Sequence, residues 1–138
     1  MRKIRVGIHG IRGRLGQTVV GAVSAEQGME LVCGIDTSPG SLPSPGGKGN
    51  VPVYATAQEA IGKHHPDVVV DFSLAPALLP LAREILPQKV HLVSGTTGAS
   101  SQVLDEITKL ASEHKTGVIY AANFAISSVM MIDRKSVV

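Results

Sequence analysis

The sequence predicts an α/β fold built on a doubly wound parallel sheet. Short apolar runs alternate with stretches of helical periodicity through most of the 138 residues. Strands that alternate with helices in this way join by right-handed crossovers into a parallel sheet. Residues 66–72 are too continuously apolar for a strand with one wet face, which is typical of a buried parallel strand. A turn marked by Gly10, Gly13 and Gly16 follows the first apolar run.

The first half of the chain is predicted to hold three strands and two helices. The strands cover residues 2–9, 29–36 and 52–54, and the helices cover residues 15–26 and 57–63. Leu15, Val19 and Val23 recur at four-residue spacing, which predicts the buried face of the first helix. Residues 37–50 are rich in glycine and proline, so we expect a surface loop without regular structure there.

The second half repeats the alternation of strand and helix. Strands are predicted over residues 66–72, 91–94 and 116–121, and helices over residues 75–86 and 100–114. Val103, Ile107 and Leu110 share one face of the last helix, which indicates the side that packs on the sheet.

Composition excludes several classes of protein. The net charge of +2 is too small and too evenly spread for a nucleic-acid or anionic membrane surface, and the sequence has no tryptophan for base stacking. Cys33 is the only cysteine, so an internal disulfide is impossible and a core position is expected. We find no spacing typical of a metal site, no signal peptide and no membrane span, and we expect a cytoplasmic protein.

The glycine turn predicts a phosphate-binding loop of the Rossmann type. Glycines there allow a tight turn and close approach of the backbone to a pyrophosphate, and the helix that follows presents its positive end. Asp36 ends the second predicted strand and is placed to accept hydrogen bonds from a ribose. Because the spacing is Gly-x-x-Gly-x-x-Gly, an ordinary strand-to-helix loop remains an alternative, and Asp36 can instead begin a turn.

Three loops follow predicted strands at the edge where α/β proteins bind ligands: residues 71–73, 95–98 and 121–124. Residues 95–98 read Gly-Thr-Thr-Gly, although Ser100 or Ser101 can simply cap the next helix. His9, immediately before Gly10, lines the turn and can contact a ligand. The pair His64 and His65 precedes a strand, at the wrong end of the sheet, so we expect a solvated helix end there.

Together these motifs resemble the N-terminal domain of dihydrodipicolinate reductase (4-hydroxy-tetrahydrodipicolinate reductase), a family of diaminopimelate and lysine biosynthesis. The resemblance spans residues 4 to about 131. It rests on His-Gly-Ile-Arg-Gly-Arg-Leu-Gly at residues 9–16, Asp36, Asp-Phe-Ser at 71–73, Gly-Thr-Thr-Gly at 95–98 and Ala-Ala-Asn-Phe at 121–124.

The resemblance implies hydride transfer from NADH or NADPH to a cyclic, dicarboxylated imine. It assigns the pyrophosphate to the glycine turn, the ribose to Asp36 and the nicotinamide to the later loops. The implied cofactor-binding residues are Gly10, Ile11, Arg12, Gly13, Arg14, Leu15, Asp36, Phe72, Ser73, Gly95, Thr96, Thr97, Ala121, Ala122, Asn123 and Phe124. No residue of this chain is implied to be catalytic, and no metal is implied.

Two positions depart from the family pattern. The family often has Arg after the ribose-binding acid, which suits a 2′-phosphate, whereas this chain has Thr37. Asp36 would also repel that phosphate, so NADH is slightly favoured, while Arg12 and Arg14 keep NADPH open. Ser127 stands where the family usually has Gly.

The family resemblance also implies a second domain, which binds substrate, supplies the acid/base residues and forms most of a homotetramer. We expect a dinucleotide-binding domain over residues 1–132, without that second domain. Residues 133–138 can be encoded by read-through of a common sequencing adapter, so we expect a non-native tail; the alternative is a natural short paralogue with a basic tail. The alternative function is that of a stand-alone, non-catalytic nucleotide-binding module.

Overall fold

The computed structural model describes residues 2–45 and 49–121. Within these ranges the strands are β1 (Ile4–His9), β2 (Met29–Ile35), β3 (Gly40–Pro43), β4 (Asn50–Tyr54), β5 (Val68–Asp71), β6 (His91–Ser94) and β7 (Val118–Tyr120). The helices are α1 (Arg14–Ala25), α2 (Ala57–His64), α3 (Ala75–Ile85) and α4 (Ser101–His114), and a short 3-10 helix spans Leu86–Gln88. The expected tail at residues 133–138 lies outside the described residues.

The strands form one sheet in the order β3-β4-β2-β1-β5-β6-β7. Neighbouring strands are parallel, except that β3 and β4 are antiparallel. Without β3, this is the 3-2-1-4-5-6 order of the Rossmann fold, in which the direction of winding reverses between the two central strands. The predicted α/β class and the doubly wound parallel sheet are therefore confirmed, and the reversal lies between β1 and β5.

The prediction of an irregular loop over residues 37–50 is wrong in part, because this segment contains β3. The strand pairs with β4 in a register that sets Leu42 opposite Val51 and Pro43 opposite Asn50. Leu42 also packs against the apolar cluster formed with β1 and α1. The sequence concealed this strand because it shows no apolar alternation and carries Pro43, which an outer strand tolerates.

Helices cover both faces of the sheet. On one face α2, α3 and α4 pack over a cluster that includes Ile61, Leu78 and Ile107. On the other face α1 buries Val20 and Val23 against the sheet. The core therefore lies in two layers, one on each side of the strands, as expected for a doubly wound sheet.

Two of the three residues expected on the buried face of α1, Val19 and Val23, pack in the apolar cluster of β1 and α1, and the third, Leu15, does not. The buried residues of the helix are Gly16, Val20 and Val23, whereas Leu15 is 57% exposed. Gly16 occupies the position closest to the turn, so the neighbouring Leu15 points away from the sheet. The four-residue spacing identified a helix correctly but placed the start of its apolar stripe wrongly.

Cys33 is buried in β2, as the sequence predicts for a core residue. Burial raises the pKa of its thiol to about 12, although the nearby Arg5 acts in the opposite direction. A thiol with so high a pKa stays protonated and unreactive at neutral pH. Among the described residues no helix is long and apolar enough to cross a membrane.

His64 and His65 lie at the end of α2, before β5, and only His65 matches the expected solvated helix end. His65 is exposed and ends the helix with a left-handed φ of 43°. His64 is half-buried, with Nε2 2.7 Å from the Tyr54 hydroxyl oxygen. Burial lowers the pKa of His64, and the charges of Arg5 and Lys63 lower it further. His64 therefore packs against β4, and both histidines lie at the end of the sheet opposite the glycine turn.

Candidate functional site

The turn between β1 and α1 requires glycine at two positions. Gly10 has a φ of +80°, and a Cβ there would lie 3.0 Å from the carbonyl carbon and oxygen of Phe72. A Cβ on Gly16 would lie only 2.2 Å from the Gly10 carbonyl oxygen. The turn is therefore packed tightly between the first turn of α1 and the loop that follows β5.

The N-terminus of α1 offers backbone donors to a ligand. Gly13 precedes the helix without a side-chain cap, and the helical hydrogen bonding begins with Gln17 N donating to Gly13 O at 2.9 Å. The N–H groups of Arg14, Leu15 and Gly16 have no acceptor within a helix that starts here. Free N–H groups and the positive end of the helix dipole form an arrangement that binds phosphate.

Asp36 lies directly after β2 and is held against the glycine turn. Its Oδ2 accepts a hydrogen bond from Arg12 N at 2.9 Å, and its Oδ1 accepts from Thr37 N at 2.7 Å. Each carboxylate oxygen can accept more than one hydrogen bond, so Asp36 retains capacity for ribose hydroxyls. The Arg12 side chain extends alongside, with Nε donating to Ser38 O at 2.7 Å.

Gly10 and Gly13 of the glycine turn, together with Arg12 and Asp36, border one open cavity of about 480 Å³. It extends from the end of β2, across the glycine turn, to the loop that follows β5. Its lining residues are His9, Gly10, Arg12, Gly13, Ile35, Asp36, Thr37, Ala55, Phe72, Ser73, Leu74 and Ala77. The cavity thus lies at the carboxyl ends of the strands and at the reversal of winding, where open α/β sheets bind their ligands.

A buried carboxylate ties together the ends of β1, β5 and β6. Asp71 is fully buried, and its Oδ1 is 2.7 Å from His9 Nδ1 and accepts from Ser73 Oγ at 2.6 Å. Its Oδ2 accepts from Ser94 Oγ at 2.8 Å and from Thr96 Oγ1 at 2.6 Å. Asp71 therefore joins the glycine turn to the Gly-Thr-Thr-Gly loop.

The same contacts explain why Asp71 is ionised. Burial alone would raise the pKa of its carboxyl group, but hydrogen bonds from His9, Ser73 and Thr96 outweigh that effect and lower the pKa to about 2. Sequence reasoning noticed the Asp-Phe-Ser loop and His9 but did not pair His9 with Asp71. The available signal was that His9 ends one predicted strand and Asp71 ends another. The two residues are neighbours only because β1 and β5 are adjacent in the sheet.

The candidate cofactor-binding residues fall into distinct places. Six line the cavity: Gly10, Arg12, Gly13, Asp36, Phe72 and Ser73. The Ile11 side chain is fully buried in the apolar cluster of β1 and α1, where it packs directly over Gly34. Arg14 and Leu15 are exposed on the first turn of α1 and do not line the cavity.

The later loops lie at the same edge of the sheet, beyond β5. Gly95 and Thr96 are buried, Thr97 is exposed, and Ala121 is fully buried with its N–H donating to Ser94 O at 2.9 Å. None of them lines the cavity. Ala122, Asn123 and Phe124 lie outside the described residues. Within the part of the chain that the structure describes, no group of three or more His, Cys, Asp or Glu residues is arranged to hold a metal ion.

Comparison with known proteins gives one consistent family. The family profile for the N-terminus of dihydrodipicolinate reductase matches residues 4–124. The 4-hydroxy-tetrahydrodipicolinate reductase of Dehalococcoides mccartyi is 37% identical over 134 residues, which cover 96% of this chain and 51% of that protein. The enzyme of the same name from Shouchella clausii is 35% identical over 133 residues, which cover 93% and 50%. The chain spans about half the length of the curated relatives it matches.

Solved structures agree. A dipicolinate-bound dihydrodipicolinate reductase from Paenisporosarcina sp. TG-14 is 36% identical with a TM-score of 0.78, covering 94% of this chain and 51% of that one. The WlbA dehydrogenase of Bordetella pertussis, in complex with NADH and UDP-GlcNAcA, has a TM-score of 0.73 at 20% identity, over 87% of this chain and 37% of that one. The second likeness shows the fold alone. The glycine turn, Asp36 and the family match agree, and the chain belongs to the dihydrodipicolinate reductase family, in which it corresponds to the N-terminal, NAD(P)-binding domain.

Proposed function

We propose that this chain is the NAD(P)H-binding part of a reductase that transfers hydride to a cyclic, dihydrodipicolinate-type imine in diaminopimelate and lysine biosynthesis. The observation that carries the proposal is the position of Asp36, fixed by Arg12 N beside an uncapped helix N-terminus in a chain of this family. Because this is a reaction of amino-acid biosynthesis, we propose that the protein is cytoplasmic.

The residues present fit a dinucleotide. Asp36 would hold the adenosine ribose, and the N–H groups at the start of α1 would hold the pyrophosphate. The nicotinamide half would then extend past β5 toward the loops after β6 and β7, the side on which Gly95, Thr96 and Ala121 lie. The bound cofactor supplies the hydride, and the residues of this chain bind and orient the cofactor.

The substrate is proposed to bind elsewhere in the whole protein. The relatives are about twice as long as this chain, and we assign substrate binding, the proton donor and homotetramer formation to their other half. No catalytic residue is assigned here. The chain acts as the cofactor half of the active site.

A fusion protein tests the proposal. Residues 1–131 of this chain are joined to the C-terminal half of the Dehalococcoides mccartyi reductase, and oxidation of NADH is followed with the dihydrodipicolinate-type substrate. We expect substrate-dependent oxidation that Asp36→Ala reduces strongly and Asp105→Ala does not, because Asp105 is exposed on α4, away from the cavity. A folded fusion that binds NADH without oxidising it would favour the stand-alone, non-catalytic module instead.

We propose that NADH is preferred slightly over NADPH. Asp36 carries a negative charge where a 2′-phosphate would approach, and Thr37 offers it no cation. Arg12 lies close enough to keep NADPH binding measurable, since its Nε contacts Ser38 O at 2.7 Å.

Thr37→Arg is expected to shift the ratio of the dissociation constants toward NADPH, because a guanidinium pairs well with phosphate. Calorimetric titration of both cofactors into both proteins measures the ratio. An unchanged ratio would contradict this account of cofactor selection.

A further inference from the structure

Asp71 and the four residues whose side chains contact it, His9, Ser73, Ser94 and Thr96, form the Asp71 cluster. Of these, His9 borders the cavity from the end of β1. Its side chain is 16% exposed, and its Nδ1 lies 2.7 Å from the fully buried Asp71 Oδ1. His9 lines the cavity beside Gly10. A buried carboxylate therefore holds one edge of the imidazole, in a residue that borders the space open to a ligand.

The contact with Asp71 assigns the tautomer of the ring. An ionised carboxylate can only accept hydrogen bonds, so Nδ1 carries the proton in the His9–Asp71 pair. In the neutral imidazole Nε2 is then an acceptor. Among residues 2–45 and 49–121 no donor contacts Nε2. An oriented acceptor without a protein partner is suited to a hydroxyl group of a ligand.

The strand order indicates which hydroxyl that is. Asp36 follows β2, His9 ends β1, and Asp71 ends β5, and these three strands are adjacent in that order. A dinucleotide whose adenosine ribose is held by Asp36 passes the helix N-terminus with its pyrophosphate before it reaches β5. The next group along the ligand is the ribose that carries the nicotinamide.

We propose that His9 binds this second ribose, accepting a hydrogen bond from one of its hydroxyls through Nε2 while Asp71 orients the ring. The inference rests on the proposed function, because it assumes that a dinucleotide occupies the cavity. It assigns His9 a role in binding that differs from simply satisfying the buried charge of Asp71.

Two substitutions separate these roles. His9→Asn keeps an N–H close to the Nδ1 position, so Asp71 retains its donor, but the side chain ends short of Nε2. His9→Gln places an amide near Nε2 and gives up the donor to Asp71. We expect His9→Asn to keep the melting temperature and lose affinity, and His9→Gln to lower the melting temperature and recover part of the affinity.

Three ligands identify the contacted group: NADH, ADP-ribose and ADP, of which only the first two contain the second ribose. Calorimetric titration should show that His9→Asn weakens NADH and ADP-ribose about three- to tenfold, the range for one hydrogen bond, and leaves ADP unchanged. His65→Asn is the matched control, because His65 is exposed at the opposite end of the sheet and Asn tolerates its left-handed φ.

Two results would overturn the inference while leaving the proposed function intact. One is wild-type affinity of His9→Asn for ADP-ribose, which would make His9 purely structural. The other is an equal loss of affinity for ADP, which would place the contact on the adenosine diphosphate half. If the unsubstituted chain binds none of the three ligands, the proposed function fails and this inference fails with it.

Discussion

Gly16 is the residue at which the glycine turn tolerates a side chain least. A Cβ there would lie 2.2 Å from Gly10 O and 2.9 Å from the Ile11 backbone, so α1 or the turn has to move. We expect Gly16→Ala to lower the free energy of unfolding by about 1–3 kcal/mol, the usual cost of overpacking. It should also weaken NADH binding, because the N–H groups proposed to bind the pyrophosphate shift with the helix. Urea unfolding and calorimetry measure both effects.

Gly21 offers a matched control on the same helix. A Cβ on Gly21 would meet nothing within 4 Å, so Gly21→Ala is expected to stabilise the chain by roughly 0.5–1 kcal/mol through its better helix propensity. If Gly16→Ala were as stable as Gly21→Ala and bound NADH equally well, the close packing of the turn would be contradicted.

Asp71 makes the stability of the fold depend on pH. The pKa of its carboxyl group is about 2 in the folded chain against an ordinary 3.8, so the unfolded chain binds the proton more readily. The stabilisation is complete above the unfolded value and is lost as the pH falls from about 4 to about 2. The difference corresponds to about 2 kcal/mol.

Asp71→Asn should remove this component of the acid-dependent loss. It should also destabilise the chain at neutral pH by about 1–3 kcal/mol, because an amide N–H₂ faces donors that need an acceptor. Urea unfolding from about pH 7 down to about pH 2 compares the two proteins. If the free energy of unfolding fell with pH equally in the variant and in the unsubstituted chain, Asp71 would not be the cause of the loss of stability in acid.

At the scale of single residues, the sequence predicted those site residues that belong to a local sequence pattern. Gly10 and Gly13 were predicted at the turn, and Asp36 at the end of the second strand, because glycine spacing and a strand-terminal acid are local signals. The pairing of His9 with Asp71 joins residues 62 positions apart. It depends on β1 and β5 being neighbours, which no local pattern encodes.

At the scale of single elements, the structure shows which of two candidate serines caps α4. Ser100 Oγ accepts a hydrogen bond from Val103 N at 3.2 Å, and the helix begins at Ser101. We expect Ser100→Ala to lower the free energy of unfolding by about 1 kcal/mol, because it leaves an N–H of the first turn without an acceptor.

Ser101→Ala is the control, since Ser101 is exposed and its side chain makes no cap. Its effect should stay within about 0.5 kcal/mol, as for other surface substitutions. Equal losses in the two variants, measured by thermal unfolding, would show that the hydroxyl of Ser100 does not cap the helix.

Elements with a strong period were predicted well, and elements fixed by tertiary pairing were not. The helices and buried strands agree with the structure to within a few residues, because their apolar spacing records which side faces the core. β3 was missed because Pro43 and Gly40 hide it, and its pairing with β4 holds it in place. The exposure of Leu15 follows from the tight packing of Gly16, which a periodic pattern does not register.

At the scale of the whole molecule, the reversal of winding between β1 and β5 brings the candidate site together. It sets the glycine turn, Asp36 and the Asp71 cluster along one edge of the sheet, although they come from four separate parts of the chain. The order of motifs in the sequence sufficed to indicate the family. The cavity, and the contacts by which Asp71 joins the ends of β1, β5 and β6, could be identified only in the folded structure.

The most direct test of the account is a calorimetric titration of NADH into the unsubstituted chain and into Asp36→Ala. We predict saturable binding at one site, weakened by roughly 1–3 kcal/mol in the variant because the ribose hydroxyls lose their acceptor. The melting temperature of the variant shows that it remains folded, and Asp105→Ala should bind as the unsubstituted chain does. Absence of binding, or equal affinity in Asp36→Ala, would contradict the assignment of this cavity to the dinucleotide.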